Sequence, residues 1–123
     1  MPATWARRAN LLVRELEAGG HALLHLDFLV TEAVTVVGRR AKDAAVLGAA
    51  LARVRHWNAS GEISFVDRPD LSFDDALGVV LDTHGSLSFN DALLVVLQRD
   101  DVIGEVVSFD SGFDAMRGFR RIH

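Results

Sequence analysis

Short apolar runs alternate with helix-length amphipathic stretches through most of this 123-residue chain, and that alternation constrains its fold more than any other feature. Trp5, Ala9, Leu12 and Leu16 recur at helical spacing, with Arg7, Arg8, Arg14 and Glu15 largely on the other side. Gly19 and Gly20 close that run as a helix C-terminus does. His21 to Leu26 reads as a strand, and Asp27 stands where it would cap a second helix carrying Leu29, Ala33, Val36 and Val37 on one face. A third helix is expected from about Lys42 to His56, striped by Ala44, Leu47, Leu51 and Val54 and weakened by Gly48. Glu62 to Val66 and Val102 to Phe109 read as further strands, and 111–123 as a loop, a short helix and an edge strand.

Two segments are near copies. Leu71 to Leu81 (LSFDDALGVVL) and Leu87 to Leu97 (LSFNDALLVVL) differ only at Asp74/Asn90 and Gly78/Leu94. Each reads as a helix with a serine N-cap, Ser72 or Ser88, and a carboxylate three residues on, Asp75 or Asp91. Two copies at a 16-residue offset are too few and too closely spaced for a solenoid, so they are expected as successive helices. The second, with leucine in place of glycine, is apolar nearly all round and should be the more deeply buried. Strands alternating with helices, and apolar on both faces, predict one α/β domain over 1–123 with a mostly parallel sheet.

Composition narrows the chemistry. Half of the residues are hydrophobic and two are proline, which argues against disorder. There is no cysteine, so disulfides, thiol nucleophiles and thiolate metal sites are excluded, and any metal must be held by oxygen or imidazole. No apolar run approaches the roughly 18 to 20 residues of a membrane span, and no signal-peptide core follows Arg7 and Arg8. The chain reads as soluble and cytoplasmic. Its formal charge of -4 argues against binding nucleic acid by bulk electrostatics, although Arg7/Arg8, Arg39/Arg40 with Lys42, and Arg117/Arg120/Arg121 form local basic groups. Each of these groups also fits a solvated helix face or a polar tail. His21 and His25 are four apart, a zinc-binding spacing on a helix, but on a strand they would be about 13 Å apart at roughly 3.3 Å per residue.

Three carboxylates stand out. In the pattern Leu29, Glu32, Ala33, Val36 the glutamate falls on or beside an apolar stripe, where it needs a cation or an edge position reaching water. Asp91 could be a capping-box residue, and Asp110, directly after the last expected strand, could be turn chemistry in Asp-Ser-Gly. All three would lie at the carboxyl edge of one sheet, where ligands collect in such folds. Clustered carboxylates suit a hard divalent ion such as Mg²⁺ or Mn²⁺.

The segment LSFNDALLVVLQRDDVIGEVVSFDSGF (87–113) resembles the C-terminal core of PIN domains, with its Ser-x-x-Asp-Ala helix start, apolar helix, strand and strand-end Asp near a Phe. HLDFLVTEAVTVVGRR (25–40) is similar to the family's second strand and glutamate-bearing helix. The resemblance implies a three-layer α/β/α sandwich that lacks the family's opening strand and first catalytic aspartate. It implies hydrolysis of RNA phosphodiester bonds with Mg²⁺ or Mn²⁺ held by Glu32, Asp91 and Asp110, and it selects Asp91 over Asp75. Ser88, Asn90 and Ser108 would support the pocket, and Arg39, Arg40 and Lys42 would contact nucleic acid. Many members are VapC-like toxins, usually homodimers, whose acidic pocket a small antitoxin blocks; no membrane is implied. A PIN-like protein without activity, serving dimerisation or partner binding, is the alternative expectation.

Overall fold

A computed structural model describes residues 3–66 and 70–123. They form two compact units, Met1–Val66 and Asp67–His123. In the N-terminal unit the order is α1 (Ala3–Ala18), β1 (His25–Leu26), α2 (Asp27–Arg40), α3 (Ala44–Ala59) and β2 (Ile63–Ser64). In the C-terminal unit α4 (Asp70–Asp82) and α5 (Phe89–Arg99) precede β3 (Val106–Val107), a short 3₁₀ turn (Ser111–Ala115) and β4 (Arg121–Ile122).

The expected three-layer sandwich around one mostly parallel sheet is not what forms. The chain is mostly helical, and its strands make two separate parallel pairs of two residues each, β1 with β2 and β3 with β4. His25 pairs with Ile63 and Leu26 with Ser64; Val106 pairs with Arg121 and Val107 with Ile122. An apolar run becomes a long strand only where a neighbouring strand satisfies its backbone groups along its length. Here each run has one partner over two residues, so His21 to Leu24 and Val102 to Glu105 stay outside the ladders.

Helix ends follow their local chemistry closely. After α1 the His21 N–H reaches the Leu16 carbonyl and the Gly20 N–H the Glu17 carbonyl, both at 3.0 Å, with Gly20 at φ 81°, a Schellman ending. Asp43 caps α3 by accepting from the Ala45 N–H at 2.7 Å. Asp27 does not cap α2. The cap position is Leu26, and the Asp27 carboxylate instead accepts from the Val66 N–H at 3.1 Å, tying the residues after β2 to the start of α2. The α3 stripe Leu47, Leu51 and Val54 is half-buried as its spacing predicts, and Trp57 extends it to stack on His25 at 4.3 Å.

α4 and α5 pack on each other as the centre of the C-terminal unit: Arg99 at the end of α5 reaches Asp75 near the start of α4 at 3.3 Å, and the rings of Phe73 and Phe89, near the two helix starts, lie 5.0 Å apart. The two near-identical helices have opposite fates. Residues 92–98 of α5 are all buried, as the leucine at 94 leads one to expect. α4 buries only one face, Ser72, Ala76 and Val79. Ser88 caps α5, accepting from the Asp91 N–H at 3.2 Å, whereas its counterpart Ser72 lies inside α4 as a buried core residue and not at its N-terminus.

Candidate functional site

Glu32 lies in the second turn of α2, in the N-terminal unit, and is exposed together with Ala33 and Val36. The expected apolar stripe is therefore corrected at Ala33 and Val36, and Glu32 reaches water as the edge position would have it. α2 turns Phe28 inward and half-buries Leu29, Val30, Val34 and Val37, which leaves the Glu32 face to solvent. Arg39 and Arg40 occupy the last turn of the same helix and Lys42 follows it, all three exposed, where cations complement the C-terminal end of the helix dipole.

Asp91 and Asp110 belong to the C-terminal unit. Asp91 is in the first turn of α5 and half-buried, next to half-buried Asn90 and to the exposed cap Ser88. Its twin Asp75 is engaged with Arg99 at the surface. Asp110 follows β3 and caps the 3₁₀ turn: its Oδ1 accepts from the Gly112 N–H at 2.8 Å, and its own N–H donates to the Ser108 hydroxyl at 3.1 Å. A Cβ at Gly112 would lie 3.0 Å from Oδ1 of Asp110, so a side chain there would have to displace the carboxylate slightly. The turn reading of Asp110 therefore holds, whereas β3 ends at Val107 and Ser108 and Phe109 lead from it to Asp110, which does not directly follow a strand.

The strand end holds two further charged residues that motif reasoning passed over. Arg121, on β4 and with a side chain only 11% exposed, grips Asp114 with two hydrogen bonds of 2.9 Å and donates a third to the Ser108 carbonyl at 3.2 Å. The guanidinium beside it holds the Asp114 carboxyl below the usual carboxylate range, and Arg121 is in turn pushed up by its bond to Asp114 and by the nearby charge of Asp110. The signal for this pair was an acid four residues past Asp110 with a cation opposite it in the next strand, legible only once β3 and β4 are paired. Because the Asp114 carboxyl titrates below its unfolded value, its pairing is complete above the ordinary carboxylate range and is lost as pH falls through the lowered midpoint. NMR titration of Asp114 should give a midpoint below 3.8 that returns toward 3.8 in Arg121→Gln. An unchanged midpoint would remove Arg121 as the cause.

The three sequence-derived acids do not share one sheet edge. Glu32 lies in the helix after β1 of one two-stranded sheet, and Asp91 and Asp110 flank β3 of the other. Among the described residues no group of three or more His, Asp or Glu side chains gathers as the ligands of one ion. The donor chemistry of Asp91 and Asp110, all carboxylate oxygen, still matches Mg²⁺, which is held by one or two carboxylates with water and substrate phosphates completing its shell. No helix among the described residues is long and apolar enough to cross a membrane. The chain matches no family model, no curated protein and no solved structure.

Proposed function

We propose that the chain cleaves RNA in the manner of VapC-like ribonucleases, in the cytoplasm, with Asp91 and Asp110 as the principal carboxylates. One observation in the C-terminal unit carries this reading. The Gln98 amide, in the last turn of α5, binds the backbone of Gly104 and Arg120, the residues leading into β3 and β4. The amino ends of both strands are thereby held at the C-terminal end of α5, within the unit that carries both Asp91 and Asp110. The order of the residues in 87–113 supports the same pairing.

A bound Mg²⁺ or Mn²⁺ would supply an activated water and charge stabilisation at the phosphate. The chain's own residues would hold and orient. Asp91 and Asp110 would provide the oxygen ligands. Ser88 and Ser108 fix the backbone next to the two acids, and Asn90 directly precedes Asp91. A small antitoxin protein that shields the acids is the partner this reading predicts.

The division of the strands into two separate pairs favours a second reading, a protein without catalytic activity that serves partner binding and does not cut RNA. Mn²⁺-dependent cleavage of RNA separates the two. Asp91→Asn and Asp110→Asn should each lower cleavage by about 10- to 100-fold, the usual cost of losing a metal-site group, and Asp75→Asn should not. Cleavage untouched by the first two substitutions would sink the site. Absence of cleavage together with no Mn²⁺-induced rise in melting temperature would select the second reading.

A further inference from the structure

Asp110 stands inside a closed circuit of hydrogen bonds. Its N–H donates to the Ser108 hydroxyl at 3.1 Å, and its Oδ1 accepts from the Gly112 N–H at 2.8 Å, at the start of the 3₁₀ turn that carries Asp114. Asp114 accepts two bonds of 2.9 Å from Arg121, and Arg121 returns to the Ser108 carbonyl at 3.2 Å. One guanidinium therefore holds both ends of the loop 108–114, and Asp110 lies between them.

This is not an ordinary surface ion pair. The Arg121 side chain is 11% exposed and that of Asp114 62%, so the cation is the partner withdrawn from water. Exposed pairs stabilise little, and burying a guanidinium is costly unless several acceptors meet it. Three acceptors meet this one, two carboxylate oxygens and a backbone carbonyl. A planar guanidinium presents its donors in a fixed fork that suits such a set, which the single point of a lysine ammonium does not.

Nor does the β3–β4 ladder require the third bond. Ser108 is already tied to β4 through its N–H, which donates to the Ile122 carbonyl at 3.0 Å, and Gln98 holds the other end of the pair. Arg121 adds a hold on the Ser108 carbonyl, which belongs to the peptide leading through Phe109 to Asp110. With both backbone groups of Ser108 bound, the direction in which the chain leaves β3 is fixed.

The Asp110 carboxylate is thereby half committed. Oδ1 is bound to Gly112, whereas Oδ2 accepts no hydrogen bond among the described residues, and Asp110 is exposed. We propose that Arg121 is the positioning residue of Asp110: oriented by Asp114, it holds the loop 108–114 at both ends, so that Asp110 meets a ligand through Oδ2 alone. The part played by Oδ2 rests on the function proposed above; the hold of Arg121 on the loop does not.

Amide exchange of the metal-free full chain tests the hold. Arg121→Lys keeps the charge and loses the fork, so it should speed exchange at Asp110 and Gly112 about tenfold while Val106, in the ladder, changes less than about threefold. Unchanged rates at Asp110 and Gly112, or an equal loss at Val106, overturn the proposal. Mn²⁺ is then added as a paramagnetic probe. It should broaden the Asp110 resonances of the unaltered chain, and Arg121→Lys should need about tenfold more of it for the same broadening. An equal requirement in a loosened loop overturns the positioning role. Broadening at Asp110 with exchange indifferent to Arg121 overturns the proposal and leaves the ribonuclease reading standing. No broadening in the unaltered chain overturns the role of Oδ2 together with that reading, and exchange still decides the hold of Arg121. If Arg121→Lys fails to fold, Asp114→Asn, at an exposed side chain, decides by the same measurements.

Discussion

Replacing Gln98 by leucine will destabilise the C-terminal unit by about 2–4 kcal/mol, even though the volume is nearly conserved and the position is buried. Its Nε2 donates to the carbonyl oxygens of Gly104 at 3.0 Å and Arg120 at 2.8 Å, and its Oε1 accepts from the Arg120 N–H at 2.8 Å. Leucine would leave three backbone groups to find other partners at a half-buried position, each worth about 1 kcal/mol if water replaces the amide and more if it does not. The Arg120 carbonyl also accepts from the Val106 N–H at 3.1 Å, so the amide secures the entry to the β3–β4 ladder. Urea unfolding measures the loss, and hydrogen exchange at Val106 and Ser108 locates it. A shift below 1 kcal/mol, or exchange unchanged in the ladder, would mean that Gln98 is not the clamp.

The second large effect comes from the twin leucines. Leu93→Ala should cost about 2–5 kcal/mol, the range for truncating a fully buried leucine, whereas Leu77→Ala at the matching position of α4 should cost under about 1 kcal/mol in the monomer. Equal costs at low protein concentration would contradict the burial described for α4. The comparison is clean because the two helices differ at only two of eleven positions, so intrinsic propensity nearly cancels and environment remains.

Helices were legible because their signals are local. The stripe of α3, the glycine ending of α1, the cap of α5 and the deeper burial of the second copy all follow from residues within a few positions of one another. The sheet was not legible, because a run such as Val102 to Phe109 carries no information on how many neighbours it will find. The resemblance to a sandwich fold supplied neighbours that the chain does not arrange as expected. The buried face of α2 was misread for a related reason: Leu29 and Val37 can share a stripe with Ala33 and Val36 or with Val30 and Val34, and only packing chose the second.

Among the candidate site residues, Asp110 with its turn and Asp91 with its cap were readable from spacing, and both stand where that spacing puts them. Arg121 and Asp114 were not, since they meet only through the pairing of β3 with β4.

By itself the sequence determined that five helices form and roughly where, the glycine ending of α1 and the serine cap of α5, and that Asp91 and Asp110 bracket an apolar helix and a strand. Those properties depend on hydrogen bonds and side chains within one or two turns. Tertiary structure alone decided that the strands stop at two residues, that Asp75 goes to Arg99, that Gln98 becomes a clamp, and that one copy of a duplicated stripe is core while the other is surface. Each of those outcomes depends on which neighbour arrives from elsewhere in the chain, and two nearly identical helices in different surroundings differ for no other reason.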